Sequence, residues 1–127
     1  GVGRSGDLLA EQPKASGSSL LSRLCHFLTM HALKVSGLPE ITSCVVLPAA
    51  TGMAITLSLL AIKAQRPGAN KVLWPRIDQK TCLKAIVSAG CTPVVISNVI
   101  KGDELRTDID AIRRELEADS EGVLCVV

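Results

Sequence analysis

What most restricts the folds open to this chain is a regular alternation of short apolar runs with helix-length segments. The runs are CVVL at 44–47, KVLW at 71–74, PVVIS at 93–97 and VLCVV at 123–127. They lack polar alternation, which is how strands covered on both faces read. Between them lie an apolar helical segment from Met53 to Ala64 and an amphipathic one from Gln79 to Ser88. In the latter, Leu83, Ile86 and Val87 share a face and Gly90 is the stop. A third helix carries Ile109, Ile112 and Leu116, and Thr107 with Asp110 offers an aspartate version of a capping box for it. Strand and helix in series imply parallel strands joined by crossovers, an α/β layer architecture with a parallel-rich sheet and flanking helices. Ahead of this series, Leu20, Leu24, Phe27, Leu28, His31, Ala32 and Val35 recur at spacings of three and four until Gly37 and Pro39. That spacing predicts a helix from Ser19 to Ser36, packed before or beneath the sheet.

Bulk properties narrow the class. With 127 residues and 47% hydrophobic content, the chain can bury one compact core. The net charge of +2 divides into +3 over residues 1–66 (six Lys/Arg, three Asp/Glu) and −1 over residues 67–127 (eight against nine), too little to announce nucleic-acid binding by electrostatics alone. Five cysteines, at 25, 44, 82, 91 and 125, form an odd set without a CxxC pair, and neither His26 nor His31 has a ligand spacing to a cysteine pair. The expectation is reduced, mostly buried thiols in a cytoplasmic protein and no metal site. The most apolar stretch, Ala49 to Ile62, is interrupted by Thr51, Gly52, Thr56 and Ser58 and is short for a bilayer, so it is expected to be a core helix. Gly1 opens abruptly into a glycine-rich loop without an initiating Met, so both ends are expected to be truncated.

In an open parallel sheet the ligand crevice lies beyond the carboxyl ends of the strands. Here that edge comprises the turns Pro48–Gly52, Pro75–Lys80 and Asn98–Asp103. In PAATG, Thr51 is the expected N-cap and Gly52 permits close backbone approach; a helix N-terminus can hold a phosphate through unpaired N–H groups and the positive dipole end. Ordinary helix capping explains the same residues equally well. WPRIDQK gathers Arg76, Asp78, Gln79 and Lys80, able to reach a cofactor's polar atoms, although Asp78 could simply cap the next helix. The opening loop GVGRSGDLLAEQPK offers Arg4 as a bidentate phosphate fork, with the Ser5 hydroxyl, the Gln12 amide and the Lys14 charge beside it. It lacks the GxxxxGK[ST] spacing of a nucleotide P-loop.

Taken together, GRSGDLLAEQPKASGSSLL, PAATGM, WPRIDQKTC and VIKGDELRTD resemble successive blocks of the O-phosphoseryl-tRNA(Sec) selenium transferase family, the eukaryotic and archaeal selenocysteine synthases. The resemblance covers nearly the whole chain. It implies part of the large domain of a fold-type-I pyridoxal-phosphate transferase, with residues 1–18 as the glycine-rich substrate-phosphate loop and 19–127 as the N-terminal part of the large domain. The implied reaction converts O-phosphoseryl-tRNA(Sec) to selenocysteinyl-tRNA(Sec) with selenophosphate, in a homo-oligomer, a tetramer by resemblance, with no membrane association. It also implies that Arg4, Ser5, Gln12 and Lys14 bind the phosphoseryl phosphate. Ala50, Thr51, Gly52 and Gln79 would bind pyridoxal 5'-phosphate. No catalytic residue is expected in this chain, because the family's Schiff-base lysine comes on a strand beyond Val127. VLCVV also ends in valine, where relatives tend to carry a histidine. Alternatives from the residues are another fold-type-I enzyme, such as a cysteine desulfurase or a decarboxylase, and a non-catalytic RNA-binding or antigenic module. The RSGDLLAEQPK loop separates the first from the family named, and the near-neutral charge disfavours the second.

Overall fold

In the computed structural model, which describes residues 10–127, the chain divides into two compact units, one running to Pro48 and one covering Ala49–Val127. The first unit is built on helix α1, Ser16–Val35, entered through a 3-10 turn at Pro13–Ala15. Helical structure therefore begins earlier than the apolar spacing implies. Pro13 suits a helical first turn because its fixed φ is preset and its missing N–H would have had no partner. Ser19 Oγ accepts the Gln12 N–H at 3.0 Å and pins the entry. At the far end Ser36 N–H donates to Ala32 O at 2.9 Å, and Gly37 at φ 111° turns the chain out of the helix. α1 contributes no buried residue, and Leu20, Leu24, Phe27 and Leu28 stand exposed, so its apolar stripe is not covered within this unit.

The expected strand at 44–47 does not form. A strand exists only where its N–H and C=O groups find a ladder partner. Among the described residues, none pairs with this run, and it stays irregular.

The second unit has the expected α/β class. Helix α2 (Thr51–Gln65) leads to strand β1 (Lys71–Pro75), helix α3 (Thr81–Ser88), strand β2 (Thr92–Ile96), the short strands β3 (Val99–Lys101) and β4 (Glu104–Arg106), helix α4 (Ile109–Ala118) and strand β5 (Val123–Val126). The sheet runs β2-β1-β5 and every pairing in it is parallel, with Lys71 opposite Thr92 and Pro75 opposite Ile96. β1 is central, which explains its unbroken VLW run: both faces are covered. Successive side chains of a strand point to opposite faces. Val72 and Trp74 accordingly join Leu59 of α2 and Ile86 of α3 in one cluster, while Leu73 joins Ile96, Val123, Ala111 and Ile112 in another, bringing in α4. The four largest fully buried side chains, Leu59, Leu73, Ile86 and Val72, each contribute roughly 1.5–3 kcal/mol by leaving water.

Local signals account for the element ends. Gly90, at φ 66°, takes the left-handed conformation that stops α3, and Cys91 N–H then reaches Ile86 O at 3.1 Å. The Asn98–Asp103 turn does not lead directly into a helix as expected. It is occupied by the antiparallel β3–β4 hairpin, whose two-residue turn starts with Gly102 at φ 69°, a sign of φ that matches the strands' twist. The cap of α4 is Asp108 rather than Thr107: its Oδ1 accepts the Ala111 N–H at 2.8 Å, because Asp108 holds the extended backbone required of the cap. Lys71 Nζ bonds Asp119 Oδ2 at 2.7 Å, joining the start of β1 to the end of α4. This bond raises the Lys71 pKa and lowers that of Asp119, which is further lowered by the Gly122 N–H. Among the described residues no helix is long and apolar enough to cross a membrane.

Candidate functional site

The site assembles where two helices begin. α2 and α3 pack side by side and in the same direction, since their paired contacts advance together. A side chain at Gly52 would meet Thr81, Thr56 Oγ1 lies 3.5 Å from Ala85 O, and Lys63 Nζ donates to Gly90 O at 2.7 Å. α3 follows β1 directly, so its start lies at the carboxyl edge of the sheet, and the start of α2 lies beside it. Sequence-identified Ala50, Thr51 and Gly52 on one helix and Gln79 ahead of the other thus come to a single edge.

At α2 the cap is Ala50, in extended conformation (φ −61°, ψ 150°), and Thr51 is the first helical residue; the expectation that Thr51 caps is corrected. The physical reason is positional: only the residue with non-helical dihedrals can turn its side chain back onto the helix's N–H groups. Among the described residues no side chain caps this helix, and its first backbone bond is Ala54 N–H to Ala50 O at 2.9 Å. The N–H groups of Thr51, Gly52 and Met53 are therefore left pointing out of the helix start. Thr51 is exposed, and no hydrogen bond engages its hydroxyl among the described residues. Neither α2 nor α3 has an acidic residue in its first turn, so no carboxylate within those turns offsets the positive dipole ends.

Gly52 fits against α3. A Cβ built on it would lie 3.2 Å from Thr81 Cγ2, inside the usual 3.5–4.0 Å carbon separation. Thr81 is itself held, since its N–H and its hydroxyl both donate to Gln79 Oε1, at 3.2 and 2.9 Å. Asp78 does not cap α3, whose cap position is Lys80, again without a side-chain bond. The Gln79 carbonyl fills that role instead.

Beside this turn a cleft of about 820 Å³ opens at the ends of β1 and β2, with Trp74, Arg76, Lys80, Leu83 and Asn98 among its lining. Its floor is fixed by Arg76 N–H to Ile96 O and by Asn98 Nδ2 to Arg76 O, each 2.9 Å. The buried Trp74 Nε1 has no acceptor among the described residues.

Of the other sequence-identified residues, Gln12 is half-buried and Lys14 exposed, both within the first unit. Arg4 and Ser5 lie outside the described residues. Sequence reasoning did not single out Thr81 or Trp74, and it placed Asn98 at this edge only as the start of the Asn98–Asp103 turn. For Thr81 a signal existed, a hydroxyl two residues after an amide at a helix start; for the Trp74 indole there was none, since its run reads only as a buried strand.

A family model described as O-phosphoseryl-tRNA(Sec) selenium transferase, SepSecS, matches residues 1–127. Proteins named O-phosphoseryl-tRNA(Sec) selenium transferase are 47% identical in Dictyostelium discoideum, over 99% of this chain and 27% of that protein, and 34% identical in Methanocaldococcus jannaschii, over 98% and 29%. The crystal structure of an archaeal O-phosphoseryl-tRNA(Sec) selenium transferase superimposes with a TM-score of 0.82 at 31% identity, covering 95% of this chain and 27% of that one. The chain thus spans between a quarter and a third of the length of these relatives.

Proposed function

The chain belongs to the O-phosphoseryl-tRNA(Sec) selenium transferase family, and we propose that the full-length protein to which it corresponds converts O-phosphoseryl-tRNA(Sec) to selenocysteinyl-tRNA(Sec) with selenophosphate, using pyridoxal phosphate. The observation that carries this reading is the pair of adjacent helix starts at the sheet's carboxyl edge in a chain of that family. They offer unpaired N–H groups from Thr51 to Met53, a free hydroxyl and no neighbouring first-turn carboxylate.

These residues fit a cofactor phosphate. Gly52 leaves room where a side chain would strike Thr81, and the donors beside it suit an anion. In this reading the N–H groups at Thr51 and Gly52, with the Thr51 hydroxyl and the Ala50 turn, hold the cofactor phosphate, and Gln79 meets the cofactor's polar atoms. Bound there, pyridoxal phosphate supplies an electron sink for cleavage at the substrate's α-carbon. The chain's own residues supply positioning and electrostatics. The substrate-phosphate segment is residues 1–18, whose last six residues are the 3-10 turn and the start of α1; its Arg4 fork would grip two phosphate oxygens while Ser5, Gln12 and Lys14 add donors. As phosphate departs, these donors stabilise the charge building on it. The Schiff-base lysine is assigned to a strand outside these 127 residues. The tRNA, selenophosphate, a homotetrameric assembly and a cytoplasmic setting complete the proposal.

The test is steady-state turnover of phosphoseryl-tRNA by the full-length enzyme. Arg4→Ala should lower kcat/KM by well over the effect of Lys34→Ala, since only Arg4 can bond the phosphate in two places. Equal rates for the two variants would remove the loop from the phosphate site.

A further inference from the structure

We propose that Thr81 is a positioning residue that fixes the direction in which Gln79 presents its amide to the cofactor. The inference rests on the reading of Gln79 given above and adds to it a residue, a geometry and a ligand chemistry.

Thr81 N–H lies 3.2 Å from Gln79 Oε1. A backbone N–H can only donate, so the atom facing it must be the carbonyl oxygen and not the amide nitrogen. The Thr81 hydroxyl donates to the same oxygen at 2.9 Å. Two donors on one oxygen use both of its lone pairs and settle an amide orientation that would otherwise be free to flip. What remains outward is the Gln79 NH₂, a donor with no acceptor function. The ligand atom it recognises is consequently a hydrogen-bond acceptor, such as an anionic or carbonyl-like oxygen, and a donor group there would be rejected.

Thr81 is itself locked on its other side. Its methyl stands against Gly52, where a Cβ would come within 3.2 Å. One residue therefore touches the two halves of the site: its hydroxyl orients Gln79 and its methyl packs beside Gly52. Thr56 Oγ1, bonded to Gly52 O at 2.8 Å, holds the other side of that glycine.

The experiment is a double-mutant cycle on cofactor affinity in the full-length enzyme, read by absorbance titration of pyridoxal phosphate into the cofactor-free protein, with the melting temperature of the cofactor-free form as a control. Thr81→Val keeps the methyl and removes the hydroxyl; affinity should fall by about three- to tenfold, the range of one neutral hydrogen bond. Thr81→Ser should restore affinity to within about twofold, because the hydroxyl is the part that matters for orientation. Gln79→Ala should fall at least as far as Thr81→Val, and adding Thr81→Val to it should cost nothing further. Gln79→Glu should fall further than Gln79→Ala, since it sets an anionic oxygen against the ligand's acceptor. An affinity loss at Gln79→Ala with none at Thr81→Val, or with fully additive losses, would overturn the positioning role alone. No loss at Gln79→Ala would overturn both this role and the placement of the cofactor against Gln79.

Discussion

Replacing Gly52 with alanine separates a functional glycine from a merely helical one. Its backbone is ordinary for a helix, so alanine should gain roughly 0.5–1 kcal/mol from reduced unfolded-chain freedom. Against this, the new methyl would sit 3.2 Å from Thr81 Cγ2, and the neighbour must yield a few tenths of an ångström. Thr81 cannot yield cheaply, because its hydroxyl and N–H both bond Gln79 Oε1. Overpacking of this kind costs about 1–3 kcal/mol. The gain offsets part of the cost, leaving the fold between unchanged and about 2.5 kcal/mol less stable. If this turn holds the cofactor phosphate as proposed, cofactor binding has no such compensation. Displacing the turn by the same few tenths weakens at least one N–H bond to a charged oxygen, worth roughly 1.5–3 kcal/mol, which is about ten- to a hundredfold in affinity. Chemical denaturation of the cofactor-free enzyme and absorbance titration of the cofactor measure the two quantities independently. A variant that is destabilised by about 2 kcal/mol yet binds cofactor like the parent would show that Gly52 serves helix packing only.

Further outcomes follow from other contacts. Asp108→Ala should destabilise the second unit by about 1 kcal/mol through loss of the α4 cap, measured by urea denaturation, and Asp108→Asn should recover most of it. Thr107→Ala should have little effect, since Thr107 is not the cap. The Lys71–Asp119 pair sets two pH limits. The lowered Asp119 pKa contributes stability that is present above its unfolded value, near 3.8, and is lost as pH falls through the lower folded value; the raised Lys71 pKa contributes stability that is present below about 10.5 and is lost as pH rises through the higher folded value. Asp119→Ala should flatten both limbs of a stability–pH curve. Burial raises the Cys125 pKa, with a smaller push from Cys91, so timed alkylation at pH 8 followed by peptide mass mapping should modify Cys125 slowly and exposed Cys25 first.

The parts legible in the sequence are those in which one physical demand dominates. KVLW has no polar alternation because β1 is covered on both faces, and Gly90 stops α3 because the chain there needs a positive φ. The illegible parts are those decided by partners. CVVL at 44–47 has strand composition but no ladder partner among the described residues, while Asn98–Asp103 reads as a turn leading to a helix but lies in a hairpin of Val99–Lys101 with Glu104–Arg106. The caps of α2 and α4 each lie one residue from where the sequence suggests, because Ala50–Thr51 and Thr107–Asp108 each offer neighbouring starts and only the backbone dihedrals choose between them. The shift at α2 matters for the site: with Ala50 as the cap, the Thr51 hydroxyl is left available to a ligand. The sequence points to Ala50, Thr51, Gly52 and Gln79 one by one, but the approach of Thr81 to Gly52 depends on two helices meeting, and no spacing along the chain encodes that contact.

Whether the start of α2 holds the cofactor's phosphate, and not some other part of it, is decided by comparing two ligands that differ only there. Pyridoxal phosphate and pyridoxal should be titrated into the cofactor-free full-length enzyme and into its Thr51→Val variant, which keeps the shape of the side chain and removes the hydroxyl. The expected result is a loss of about one to two orders of magnitude in affinity for pyridoxal phosphate, the range of one bond to a charged group, with the weaker binding of pyridoxal unchanged. Equal losses for both ligands, or no loss for either, would place the phosphate away from Thr51.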